Sequence, residues 1–281
     1  MIKNSSKKIA VILPSRGLVF SRTMESVIDN LYGYDYQLFM AHNLPIPDCF
    51  NVPLEKALTS YTKFDLIWFV EEDMVIYPHT LDSMVEIIEK GELCVSAEYA
   101  DRRTGRNLVC RNEKGTVIYT GMGCLLVDAR VFTKLEKPYL RRATFEKIDT
   151  KDGFDYELVD SSNNEWYGTQ DVYFSYTLRK LGIEIQIVKA KIGHLQLVER
   201  GKNETNAGAH EIKEIFIIDP KPLEPYEFIG GSKLVGEKMV IPKFSGSCMG
   251  QTFIEGQQIL LAPEIINTVG QDNFIYVKSK K

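Results

Sequence analysis

The residues Leu66-Ile67-Trp68-Phe69-Val70-Glu71-Glu72-Asp73 pass in one step from five apolar side chains to three carboxylates. An unbroken apolar run of that length reads as a strand covered on both faces, the mark of a parallel sheet between helices. Open α/β sheets bind their ligands beyond the carboxyl ends of the strands, which is where the acidic triplet falls. Adjacent carboxylates repel one another, and a cation placed among them removes that cost. Hard oxygen ligands with open coordination positions suit Mn²⁺ or Mg²⁺ bridging a diphosphate. A solvated acidic turn before a helix gives the same letters, because the positive helix N-terminus favours them.

Working outward, strand and helix alternate. Ile9–Leu13 is a β-branched run ending at Pro14, with Ser15, Arg16 and Gly17 in the loop beyond. Met24, Val27, Ile28 and Leu31 then recur at helical spacing, and Gly33 closes the segment. Gln37–Ala41 reads as a second strand, Leu54–Leu58 as part of a short helix, and Leu81, Met84, Val85 and Ile88 as the buried face of another. The expected fold is therefore α/β, a mostly parallel sheet flanked by helices. Val117–Val127 reads as one or two strands interrupted by Gly121 and Gly123. Residues 137–165 are polar with little periodicity and read as a long functional loop. Thr169 is placed to cap a helix over 170–181 with Phe174, Leu178 and Leu181 inward, and Ile185–Val188 follows as a strand.

Beyond about residue 210 the helical pattern ends, and six glycines between Gly230 and Gly256 separate short strand-like pieces. This divides the 281 residues into a main domain, 1–209, and a small β-rich appendage, 210–281. With 44% hydrophobic and 26% charged residues the composition is that of a folded globular chain. A net charge of −4 excludes a globally basic nucleic-acid coat but permits local basic patches. Five scattered cysteines without a C-x-x-C suggest neither a disulfide framework nor a zinc knuckle. No stretch approaches 18 apolar residues and the N-terminus lacks a signal-like core, so a soluble cytoplasmic protein is expected.

Several chemistries lack their motifs. There is no G-x-G-x-x-G, no G-x-x-x-x-G-K-[ST], no G-x-S-x-G and no H-E-x-x-H. Two other residues stand out. Asp171 falls in the first turn of its helix, where the dipole favours the ionised base, though an acid there is also ordinary helix design. His194, beside Gly193 after a strand, is a candidate ligand or a plain structural histidine.

The order P-S-R, E-E-D, T-G-M-G-C, T-Q-D-V-Y-F-S-Y-T-L-R-K and G-H over residues 8–200 resembles a GT-A-type (Rossmann-like) glycosyltransferase, closest to the family 2 group. The resemblance implies a metal-dependent, hexosyltransferase-like enzyme that moves a sugar from a nucleotide diphosphate donor, such as a UDP-sugar, to an acceptor hydroxyl with inversion. It implies a divalent metal, Mn²⁺ or Mg²⁺, at Asp73 and His194, with Asp171 as general base. Pro14, Ser15, Arg16, Asn43, Lys56, Glu71, Glu72 and Gly121-Met122-Gly123 would line the donor pocket. Glu71 stands where the family has aspartate, and Ala41-His42-Asn43 replaces its base-binding aspartates.

Residues 137–168 would cover the acceptor, with Trp166, Tyr167 and Gln170 on that side and the two aromatics able to stack on a sugar or a base. The acceptor itself is open: a glycan, or a polyanion such as DNA or teichoic acid. Arg102, Arg103, Arg106, Arg111, Lys137, Arg141 and Arg142 form a basic excess that either faces such an acceptor or pairs with nearby acids. A nucleotidyltransferase and a non-catalytic carbohydrate-binding protein are the competing readings.

Overall fold

The computed structural model describes residues 6–15, 17–102, 105–159, 166–199 and 210–217, together with the strand segments 219–222, 238–242, 246–248, 251–253, 259–261 and 274–276. The chain divides into two compact units, residues 1–228 and 229–281. The first unit opens with β1 (Lys8–Ser15), α1 (Ser21–Leu31), β2 (Asp35–His42), α2 (Asp48–Thr59), β3 (Leu66–Val70), β4 (Met74–Ile76), α3 (Thr80–Glu89) and β5 (Cys94–Ala97). There follow β6 (Arg106–Asn107), β7 (Val109–Arg111), β8 (Val117–Thr120), β9 (Cys124–Asp128), β10 (Ala143–Thr150), β11 (Gly153–Leu158) and β12 (Trp166–Gly168). The unit ends with α4 (Gln170–Lys180), β13 (Gln186–Val188), β14 (Ile192–Glu199), β15 (His210–Ile215) and β16 (Asp219–Pro222).

The expected mostly parallel sheet is present. Its six strands run in the order β13-β5-β9-β3-β1-β2. Only β9 opposes the rest, pairing antiparallel with both β3 and β5. Alternation along β3 sends its side chains to two cores. Ile67 and Phe69 pack with Phe50, Leu54, Phe132, Phe174 and Leu178, whereas Leu66, Trp68 and Val70 pack with Val27, Leu81, Met84 and Leu126. Both faces are therefore covered by helices, which is why this strand tolerates no polar residue until Glu71.

Three sequence expectations need correction. The inward stripe of α1 is Thr23, Ser26, Val27, Asn30 and Leu31, while Ile28 is half exposed. The reason is polar: Asn30 Nδ2 donates to the Ile76 carbonyl at 2.9 Å and Ser26 Oγ accepts the Ile76 N–H at 3.0 Å. These bonds satisfy the short strand β4 and turn the helix away from its apolar spacing. Likewise Leu181, just past the end of α4, is 41% exposed rather than buried. Finally, much of the expected loop 137–165 is regular: β10 pairs antiparallel with β11 and with β12.

The C-terminal unit contributes β17 (Lys238–Pro242), β18 (Gly246–Cys248), β19 (Gln251–Phe253), β20 (Ile259–Leu261) and β21 (Phe274–Tyr276). β17 lies between β20 and β21, both antiparallel to it, and β18 pairs with β19. No helix among the described residues is long and apolar enough to cross a membrane.

Candidate active site

β3 delivers Glu71 at its carboxyl end, and the antiparallel β9 begins opposite, with Val70 paired to Cys124. The Glu71 N–H donates to the Gly123 carbonyl at 3.3 Å, so the acidic turn and the Gly121–Gly123 loop are neighbours. Both glycines are required by Tyr99. A Cβ on Gly121 would lie 2.0 Å from the Tyr99 hydroxyl oxygen, and one on Gly123 would lie 2.8 Å from its Cζ. The phenol oxygen accepts the Gly123 N–H at 2.8 Å. Burial first, and then the charge of Glu71, push the Tyr99 phenol above its usual pKa. Met122 is buried in the core, so its side chain points away from the acidic turn's solvent side.

This loop yields a clear expectation. Gly121→Ala forces its methyl into the Tyr99 hydroxyl, and overpacking of this kind costs about 1–3 kcal/mol. Thermal unfolding should fall by several degrees, and adding Tyr99→Phe should recover part of the loss. A Gly121→Ala protein that melts with the parent would show that the loop does not close on Tyr99.

Asp73 and His194 meet across a small sheet. β14 pairs antiparallel with β4, His194 opposite Met74, and the Leu195 N–H donates to the Asp73 carbonyl at 2.7 Å. His194 Nε2 faces Asp73 Oδ2 at 3.5 Å, and both residues are buried. His194 Nδ1 lies 2.8 Å from the Ala100 carbonyl, which can only accept, so Nδ1 carries the proton. The lone pair of a neutral Nε2 then points at a carboxylate oxygen, an arrangement that calls for positive charge between or upon them. Part of that charge comes from Arg102, whose Nη1 lies 2.7 Å from Asp73 Oδ2. Although burial opposes it, contact with Asp73 raises the imidazole pKa.

Mixed oxygen and imidazole donors fit a divalent ion of the Mn²⁺ type. Among the described residues no group of three His, Cys, Asp or Glu could hold a metal. A metal here would complete its shell with substrate oxygens and water, as an open catalytic site does. Glu71 sits beside the pair, and burial, with Asp73 adding to it, raises its pKa to about 7.

Asp171 enters from α4. Gly168 brings β12 against Phe145, where a Cβ would approach the ring to 2.6 Å, and the chain then turns into the helix. Thr169 occupies the capping position, but its hydroxyl donates to Asp171 Oδ1 instead of capping a backbone N–H. The Val172 N–H also donates to Oδ1, at 3.1 Å. Burial raises the Asp171 pKa to about 6, and these two hydrogen bonds limit the rise. Asp171 lies close enough to Glu71 to add to the latter's pKa. Gln170 is buried, and its Oε1 accepts no hydrogen bond among the described residues.

The remaining candidates divide. Pro14 and Ser15 end β1 at the same sheet edge, buried, but the Ser15 hydroxyl is used by its own loop. It donates to the Leu18 carbonyl and accepts the Gly17 N–H, each at 3.0 Å. Asn43 follows β2 with a positive φ of 57°, and its N–H donates to the Ser15 carbonyl at 3.1 Å. Glu72 is buried, and its carbonyl accepts the Phe20 N–H at 3.2 Å, which joins this loop to the acidic turn. Lys56 is exposed in the last turn of α2. Arg16 and the side chains of Trp166 and Tyr167 lie outside the described residues, as does Arg103.

Of the basic residues between 102 and 142, several have partners of their own. Arg111 binds Glu98 at 3.0 Å, Lys137 approaches Glu55 at 3.7 Å, and Arg141 lies over the Tyr173 ring at 4.5 Å. Sequence reading missed Tyr99, the Ala100 carbonyl and the placement of Arg102. The one available signal was Tyr99-Ala100-Asp101-Arg102 just past the carboxyl end of β5.

No family model matches the sequence, and no curated protein sequence matches it either. Solved structures do. A197 from STIV is 17% identical, covers 78% of this chain and 98% of its own, and gives a TM-score of 0.46. A Drosophila β1,4-galactosyltransferase 7 in complex with manganese, UDP-Gal and xylobiose is 12% identical over 93% of this chain and 97% of its own, with a TM-score of 0.36. The 4-diphosphocytidyl-2C-methyl-D-erythritol synthase of Anaerococcus prevotii is 9% identical over 66% of this chain and 89% of its own, again with a TM-score of 0.36. A glycosyltransferase involved in glycosylation of the major capsid of PBCV-1 is 10% identical over 64% of this chain and 82% of its own, with a TM-score of 0.32.

Proposed function

We propose that the chain is a metal-dependent glycosyltransferase that transfers a hexose from a UDP-sugar to an acceptor hydroxyl with inversion. What supports this reading is the gathering of charges around Glu71: Asp73, His194 and, from the start of α4, Asp171 all lie close enough to act on its carboxyl group. Asp73 and His194 hold the divalent ion, Mn²⁺ or Mg²⁺. When bound, that ion supplies Lewis-acid neutralisation of the charge growing on the diphosphate leaving group.

The other steps belong to the chain's own residues. Asp171 has Oδ1 occupied by Thr169 and Val172, which leaves Oδ2 to take the acceptor proton. Gln170 offers a buried amide oxygen to the same or a neighbouring acceptor hydroxyl. Ser15 and Asn43 shape the loop against which the nucleotide lies, and the Tyr99-locked Gly121–Gly123 turn bounds the donor sugar. With β12 leading straight into the base, the β10–β11–β12 sheet forms the acceptor wall. That the sugar is a hexose and the nucleotide UDP follows from the resemblance of the motifs.

Thermal unfolding against a panel of nucleotide sugars with Mn²⁺ tests the reading, since ligand at a hundred times its Kd stabilises by about 2.7 kcal/mol. Stabilisation by one donor, with slow metal-dependent release of nucleoside diphosphate, is the expected result. Pyrophosphate release from a nucleoside triphosphate and a sugar phosphate would replace the reading with a nucleotidyltransferase. No response to any nucleotide sugar would end it.

Turnover should also depend on pH through the base. Asp171 is active when ionised, so kcat at saturating donor and metal should climb as pH rises through about 6 and level off above. A flat profile from pH 5 to 8 would remove Asp171 from the mechanism.

A further inference from the structure

Asp73 Oδ2 serves two neighbours at once. It accepts from Arg102 Nη1 at 2.7 Å and faces His194 Nε2 at 3.5 Å. A divalent ion binding that oxygen would lie about 2.1 Å away, and the guanidinium would then sit within the repulsive reach of a second cation. The two cations compete for that oxygen.

We propose that Arg102 is the resident counter-charge of this pocket, displaced from Asp73 when the metal enters and free thereafter to grip the donor's diphosphate. The inference rests on the metal-dependent reading above and adds a residue and an order of events to it. Three observations carry it. The Arg102 side chain is 32% exposed against 5% for Asp73, so it reaches in from the solvent side and has room to leave. The same short segment fixes His194 through the Ala100 carbonyl, so the ligand geometry survives when only the Arg102 side chain moves. A guanidinium presents a planar fork of donors matched to phosphate oxygens, and the diphosphate would arrive beside the metal within its reach.

The test compares wild type with Arg102→Met by calorimetric titration of Mn²⁺ alone, followed by UDP in the presence of Mn²⁺. Removing the competitor should tighten Mn²⁺ binding by about fivefold, the upper end of what a partly exposed ion pair is worth. The same variant should bind UDP several-fold more weakly once Mn²⁺ is present. An arginine that merely braces the fold would leave Mn²⁺ affinity unchanged or lower it, and either result overturns the proposal. If Arg102→Met does not fold, Arg102→Lys carries the comparison: its compact charge holds Asp73 less firmly, so Mn²⁺ affinity should rise, and equality with wild type overturns the displacement. Failure of Mn²⁺ to bind either protein also overturns it. Stabilisation of the wild type by nucleotide sugars is read separately, so the donor reading can stand where this one falls.

Discussion

Asp171→Asn is expected to lower the transfer rate by about 10²–10⁴, the usual worth of a general base, while metal-dependent donor binding stays close to the parent's. Asparagine keeps the shape of the side chain and retains an oxygen to accept from Thr169 and from the Val172 N–H. What it loses is the capacity to take a proton. The stability effect should have the opposite sign. Burial raises the folded-state pKa of Asp171 to about 6, so the folded protein binds the proton more tightly than the unfolded chain does. The contribution of this group is therefore fully present below its ordinary carboxylate range and is lost as pH rises through about 6. Replacing it should leave the melting temperature unchanged at pH 4 and raise it at pH 8. A variant that is slower and also less stable at pH 8 would mean that the carboxylate is a structural anchor. Single-turnover kinetics, together with melts at the two pH values, separate the outcomes.

Asp73→Asn should act on binding. In wild type, Mn²⁺ is expected to strengthen UDP-sugar binding. In the variant the metal should no longer do so, a loss of about a hundredfold in donor affinity if the bridged phosphate contacts are worth roughly 2.7 kcal/mol. The variant also leaves Arg102 and His194 beside a neutral amide. Breaking a buried pair by removing one partner costs about 3–5 kcal/mol, and the partial exposure of Arg102 reduces that figure here. The melting temperature without metal should fall, and added Mn²⁺ should not restore it. Equal donor affinity with and without Mn²⁺ in the wild type would remove Asp73 as a ligand. Calorimetry in EDTA and in Mn²⁺ gives both numbers.

How far the sequence could be read depended on the kind of signal each feature leaves. β3 was plain at Leu66–Val70, because two-sided burial forbids polar residues and so writes itself as an apolar run. The place of Asp171 in the first turn of α4 was plain because a helix start has local chemistry. The β10–β11 pair was read as loop although β11 alternates Phe154, Tyr156 and Leu158 with Asp155 and Glu157; the signal is blurred in β10, where Lys147 and Asp149 stand on the same face as the buried Phe145. In α1, apolar spacing pointed to Ile28, but Asn30 and Ser26 were drawn inward by the backbone of β4. Thr169 looked like a cap and proved to be a partner for Asp171. Arg102 and Tyr99 carry no periodic signal at all. Arg102 stands 29 residues from Asp73, and only the folded path brings them together.

The reversal of β9 has a consequence for how the chain comes together during synthesis. Half of the central sheet, β2-β1-β3, is complete once residue 70 has emerged, yet β3 cannot reach β5 directly because β9 must lie between them. Until Cys124–Asp128 leaves the ribosome, β3 and β5 each present an unpaired apolar edge, the kind of surface that seeks another chain. A nascent chain paused before that point is the aggregation-prone species, and one paused just after it has closed β3 and the inner edge of β5, whose outer edge waits for β13. The strand that places the glycine turn at the pocket is thus also the keystone on which co-translational folding waits.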